Sequence, residues 1–173
     1  LFAQIQANYN LQGVYYFRSV PGSWNEGIIK KIHELGHEIG YHYESLSIHK
    51  GDFKAAINHF KNDLEKLRKI VPVSTICMHG SPMSKYDSKD LWNKYDYKNY
   101  GIIGEPYFDI DFNKVLYLTD TGRTWNNNKI SIRDKVSAVN NQNFIKTNDI
   151  INAIQTNKLN NQIMFTFHPQ RWS

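Results

Sequence analysis

Four segments of this chain finish on a residue able to bind a metal or move a proton. HEIGYH (37 to 42) ends in His42, VSTICMH (73 to 79) in His79, and QIMFTFH (162 to 168) in His168. VLYLT (115 to 119) is followed at once by Asp120. Imidazole transfers protons near neutral pH and is a common ligand for transition metals. Residues of these types at strand ends suit either proton transfer or a bound ligand in a shared cavity. Taken singly, each histidine also reads as a structural residue bonded to a loop carbonyl. Four such residues at equivalent positions make the chemical reading the stronger one.

Those positions matter only if the segments are strands that share one edge. GVYYF (13 to 17) is a short aromatic and β-branched run, which predicts a strand. Ser23 and Glu26 have capping-box spacing ahead of Ile28, Ile29, Ile32 and Leu35, and Gly36 supplies a stop. The strand HEIGYH follows. Asp52 to Ile70 is the clearest helix, with Phe53, Ala56, Ile57, Phe60, Leu64, Leu67 and Ile70 in one apolar stripe. VSTICMH is the next strand, then a short helix at Ser88 to Tyr95 and strands at GIIG (101 to 104) and VLYLT. A helix from Thr147, its cap, to Thr156 precedes the last strand. Alternating helices with short apolar strands argues for parallel strands buried on both faces, an α/β layer or barrel. Ligands in such folds bind at the C-terminal ends of the strands. Alternation along the strand puts Glu38, Gly40 and His42 on one face and His37, Ile39 and Tyr41 on the other.

The other candidates carry weaker arguments. Glu44 lies two residues past His42 and either joins the site or is solvated. His37 faces away from His42 and reads as structural, and His33 and His59 read as solvated helix residues. His49 lies in a loop. Ser81, in the turn HGSP, has no nucleophile-elbow context, which argues against a serine hydrolase. TDTGRTWN (119 to 126) gathers Asp120, Arg123 and Trp125: an acid to orient a histidine and a ring to wall a sugar or acyl group, or a polar turn with a loose ion pair.

Composition bounds the alternatives. The 173 residues suit one domain over 1–173, and 40% hydrophobic content suits a real core. Cys77 is the single cysteine, so neither an intrachain disulfide nor a cysteine-rich zinc cluster can form. The net charge of +5 is spread along the chain without a basic block, which argues against nucleic-acid binding. The apolar runs are too short for a membrane span. With no signal peptide visible, a cytoplasmic location is the expectation.

The strand GVYYF, a helix, and then GHEIGYH together resemble the NodB-homology polysaccharide deacetylases, carbohydrate esterase family 4, in which a GTFF-like strand and a helix precede GHEIGNH. TICMHGSP, TDTGRTWN and FTFHPQRW look like an atypical bacterial branch of that superfamily. The resemblance spans roughly residues 11 to 173. It implies a distorted (β/α) barrel that removes acetyl groups from carbohydrates with a bound divalent metal, zinc foremost. His42 matches the first metal-binding histidine of the second motif. CMHGSP, with Ser81, occupies the place of a groove-lining loop. TDTGRTW stands where an acid, an arginine and a tryptophan are brought together, and His168 matches the general acid. Tyr41, Trp125 and Trp172 are the expected sugar contacts.

Two departures qualify that picture. The acidic first motif, which carries the catalytic base, would fall before Leu1, so an incomplete barrel lacking its first strand is expected. The second histidine of the second motif is replaced by Leu46. His79 is the first choice for the replacement ligand and Glu44 the second. A non-catalytic glycan-binding domain is the alternative. The enzymatic reading expects His42, His79 and His168 to converge on one rim.

Overall fold

A computed structural model describes residues 1–81, 83–125, 136 and 144–171. The chain divides into two compact units, Leu1–Asp109 and Ile110–Ser173.

The first unit begins with α1 (Phe2–Asn8), β1 (Val14–Phe17), α2 (Glu26–Glu34) and β2 (Glu38–Tyr43). A single turn, α3 (Ser45–Ile48), leads into the long helix α4 (Phe53–Arg68), then β3 (Ile76–Met78). Two 3-10 segments, Ser88–Asn93 and Tyr97–Tyr100, and the turn α5 (Pro106–Asp109) complete it. The strands form one sheet in the order β1-β2-β3, parallel throughout, with Phe17 opposite Tyr41 and His42 opposite Cys77. The second unit pairs β4 (Leu116–Thr119) with β5 (Ile163–Thr166), again parallel, and carries α6 (Thr147–Gln155) between them. The α/β class with parallel strands therefore holds. The described strands lie in these two small sheets and close no barrel.

Local chemistry explains most element ends. The cap of α2 is Asn25, whose side chain accepts from Ile28 N, rather than Ser23, whose hydroxyl donates to Arg18 O. Asp52 caps α4 by accepting from the backbone N–H groups of Lys54 and Ala55. Gly36 ends α2 at φ +87, a left-handed conformation that a side chain would strain. At the start of α6 the cap position belongs to Lys146, not Thr147. GIIG forms no strand of its own: Gly104 makes an isolated parallel bridge to Thr75.

The stripe predicted for α4 is the one that packs. Ala56, Ile57, Phe60, Leu64 and Leu67 are buried against Ile39, Tyr41 and Tyr43 of β2. At about 1.5–3 kcal/mol per fully buried large side chain, this layer dominates the stability of the first unit. Asp63 is buried within the same stripe, where it accepts from Tyr41 Oη at 3.3 Å and pairs with Lys66 at 3.0 Å. Tyr41 is thus a core residue with its hydroxyl turned toward α4, which removes it from the expected sugar contacts. Among the described residues no helix is long and apolar enough to cross a membrane.

Candidate functional site

The segment GHEIGYHYE distributes its polar groups between two jobs. His37 is buried and structural: its Nε2–H donates to Ala3 O at 2.9 Å, and its Nδ1 accepts from Gly13 N at 3.2 Å. On the opposite face, Glu38 accepts from the Thr75 hydroxyl. Gly40 lets the Tyr16 ring fold over the strand, since a Cβ there would lie 2.4 Å from a ring carbon. The Tyr16 ring in turn stands beside His42, with ring centroids 6.2 Å apart.

His42 and His79 come together at the ends of β2 and β3. Their ring centroids are 5.0 Å apart, edge to face. His42 Nδ1 donates to Cys77 O at 2.8 Å, and His79 Nδ1 donates to Glu44 Oε2 at 2.8 Å. In a neutral ring each bond leaves the lone pair on Nε2. That is the arrangement in which an outer acceptor orients a metal-ligating imidazole. Both rings of the pair are held in this way. Among the described residues no three His, Cys, Asp or Glu side chains form a complete metal-binding group.

Glu44 joins the cluster in a different capacity. Arg18 grips its Oε1 through Nε at 3.0 Å and Nη2 at 2.6 Å, and His79 occupies Oε2. Burial raises the carboxyl pKa, but the hydrogen bonds from His79 and Arg18 outweigh it and bring the value to about 2. Glu44 is an ionised bridge that orients His79. Ser81 reaches the same oxygen at 3.5 Å, at the limit of a hydrogen bond. Arg18 was not a candidate from sequence, although the signal existed: it follows β1 directly, the same strand-end placement that singled out the histidines.

Glu105 is a second residue missed from sequence. It is fully buried and accepts from Met78 N at 3.0 Å, Tyr107 N at 2.6 Å and Tyr43 Oη at 3.3 Å. Burial raises its pKa to about 7 against the pull of those bonds and of Lys89. Met78 and Tyr43 are the residues directly before His79 and Glu44, so this carboxyl braces the strand ends that carry them.

In the second unit Asp120 follows β4 and is nearly buried. Its Oδ1 takes His168 Nδ1 at 2.5 Å and its Oδ2 takes His168 N at 2.9 Å. The arginine whose guanidinium meets Asp120 is Arg171, which donates to Asp120 O at 2.8 Å and lies 3.5 Å from Oδ1. The expected partner, Arg123, is exposed at a left-handed turn (φ 60), where its backbone N–H bonds Asp120 O. The 3-10 turn Pro169–Arg171 returns Arg171 to the acid, a closure that the sequence spacing alone does not show. Trp125 is 6% exposed, packs edge-on against Phe165 and Phe167, and donates to Thr147 Oγ1 at 3.0 Å. It is core of this unit rather than an open sugar platform. Trp172 lies outside the described residues. No protein-family model, curated protein or solved structure matches the chain.

Proposed function

We propose that this chain is a metal-dependent hydrolase that removes acyl groups, acetyl foremost, from a carbohydrate. The observation that carries the proposal is the His42–His79 pair, each ring held at Nδ1 by an acceptor. The motif resemblance adds the reaction class, and parallel pairing in every register is compatible with the incomplete (β/α) barrel it implies. His42 and His79 would hold the metal, zinc foremost. Held by these two rings, such a metal would supply Lewis-acid chemistry, lowering the pKa of water from about 15.7 toward ~7. Glu44, fixed by Arg18, keeps the His79 ring in one tautomer. The role that the resemblance gives His168, general acid, requires a proton on Nε2, and Asp120 accepts from its Nδ1–H and orients the ring.

A second reading has its own support. The full engagement of Glu44 by Arg18 and His79 favours a non-catalytic domain that only binds glycan. Metal analysis by mass spectrometry, run beside acetyl release from an acetylated chromogenic sugar, separates the two. The enzyme reading expects bound metal and turnover in the native chain. His42→Ala should lose both. His168→Ala should keep its metal and lose about 10²–10⁴-fold in turnover. Native chain that binds saccharide without releasing acetate would leave the binding reading standing.

A further inference from the structure

Beside the His79–Glu44 contact the first unit opens a trough of about 500 Å³, lined by Ser47, Ile48, Lys50, Ser81, Met83, Ser84, Lys85 and Tyr86. Ser81 belongs both to this lining and to the Glu44 cluster. The trough is amphipathic in the way a sugar ring is. The hydroxyls of Ser47, Ser81, Ser84 and Tyr86 make the wall polar, while Ile48, Met83 and the Tyr86 ring offer apolar surface to C–H faces. The wall is fixed rather than adaptable. Gly51, at φ +87, lets the Tyr86 ring press against its backbone, where a Cβ would lie 2.5 Å from the ring. The Ser47 hydroxyl donates to Tyr86 O at 2.8 Å.

The charge around it has one sign. Lys50 and Lys85 are exposed and neither makes an ion pair with a described carboxylate; Lys85 stands 5.1 Å over the Tyr86 ring. Among the described residues no acidic side chain lines the trough. Glu44, which Ser81 reaches from the lining, is ion-paired with Arg18. A neutral saccharide gains only hydrogen bonds from these two ammonium groups, whereas a carboxylate or sulfate on the sugar gains charge pairing as well.

We infer that this trough is a subsite for an anionic sugar unit, so that the carbohydrate recognised is an acidic glycan. The inference deepens the carbohydrate reading above and rests on it for the sugar class, but it does not require turnover. The two lysines select the acidic group, the serines take ring hydroxyls, and Tyr86 walls the ring.

Calorimetric titration of the full chain with a hexuronate tetrasaccharide, its carboxyl-reduced counterpart, a sulfated tetrasaccharide and inorganic sulfate tests it. The hexuronate should bind at least tenfold tighter than the reduced form, and more weakly as salt is raised. Lys50→Gln combined with Lys85→Gln should lose at least tenfold, and the corresponding double arginine variant should keep native affinity. A control pair of exposed lysines on α4 and at its C-cap, Lys61→Gln with Lys69→Gln, should change nothing. The sulfated sugar binding in place of the hexuronate would identify sulfate as the acidic group and leave the subsite standing. Equal affinity for the reduced sugar, equal loss in the control pair, or binding of inorganic sulfate alone would overturn the proposal. Acidic-glycan binding without acetate release would sink the hydrolase and spare the subsite.

Discussion

Glu44 offers the sharpest quantitative test of the site's electrostatics. Its carboxyl ionises at about 2 in the folded chain against 4.5 for an ordinary glutamate. At ~1.4 kcal/mol per pH unit, that difference corresponds to roughly 3 kcal/mol of stability, as an upper figure. The sign follows from the direction. A depressed carboxyl pKa means that the unfolded chain binds the proton first, so the contribution is complete above about 4.5 and disappears as pH falls toward about 2. Glu44→Gln removes the charge while keeping the shape. At pH 7 the variant should be less stable than the native chain by roughly 2–3 kcal/mol, part of it from leaving Arg18 and His79 facing a neutral amide. Urea unfolding followed by circular dichroism at pH steps from 7 to 2 measures both curves. The gap should narrow steadily below pH 4.5 and close near pH 2. Two curves that stay parallel across that window would show that Glu44 carries no special charge stabilisation, and the ion-paired bridge would have to be abandoned.

Glu105 should behave in the opposite sense. Its folded value, about 7, lies above that of the unfolded chain, so native stability should fall as pH rises from about 4.5 through 7, by roughly 3 kcal/mol at most. Glu105→Gln should remove that slope in the same titration, and a slope that survives the substitution refutes the assignment. Gly40→Ala should cost about 1–3 kcal/mol by pushing the Tyr16 ring off β2, and the near-ultraviolet circular dichroism of the tyrosines should change with it. A variant of native stability would mean that the ring is free to move.

Much of the fold was legible because period and burial agree. The α4 stripe and the parallel strands reflect the same demand, that apolar residues recur wherever an element meets the core. The failures have physical causes. GIIG is only two isoleucines between glycines, and Gly101 turns the chain at φ 70, so the extended stretch makes a single bridge at Gly104. Ser23 and Asn25 both carry capping chemistry, and only the chain's path after Arg18 decides between them. Strand-end placement singled out two pairs of residues that meet within their own units, His42 with His79 and Asp120 with His168, and the parity rule already set Tyr41 on the face away from His42. Arg171 escaped because a 3-10 turn brings it back to Asp120 from three residues beyond His168. Glu105 stands directly after GIIG, so strand-end placement reached it too; its complete burial is what the sequence does not show.

Arg18, Glu44 and His79 sit just past three neighbouring strands, so their spacing is that of the strands themselves, about 4.8 Å between chains. Sliding β3 by a single residue would preserve its backbone ladder while turning the imidazole to the far side of the sheet. Secondary-structure content would be blind to that event. Recognition chemistry in this protein is thus less forgiving than its architecture, and sequence drift near Thr75 to Met78 can silence the cluster while the chain still folds.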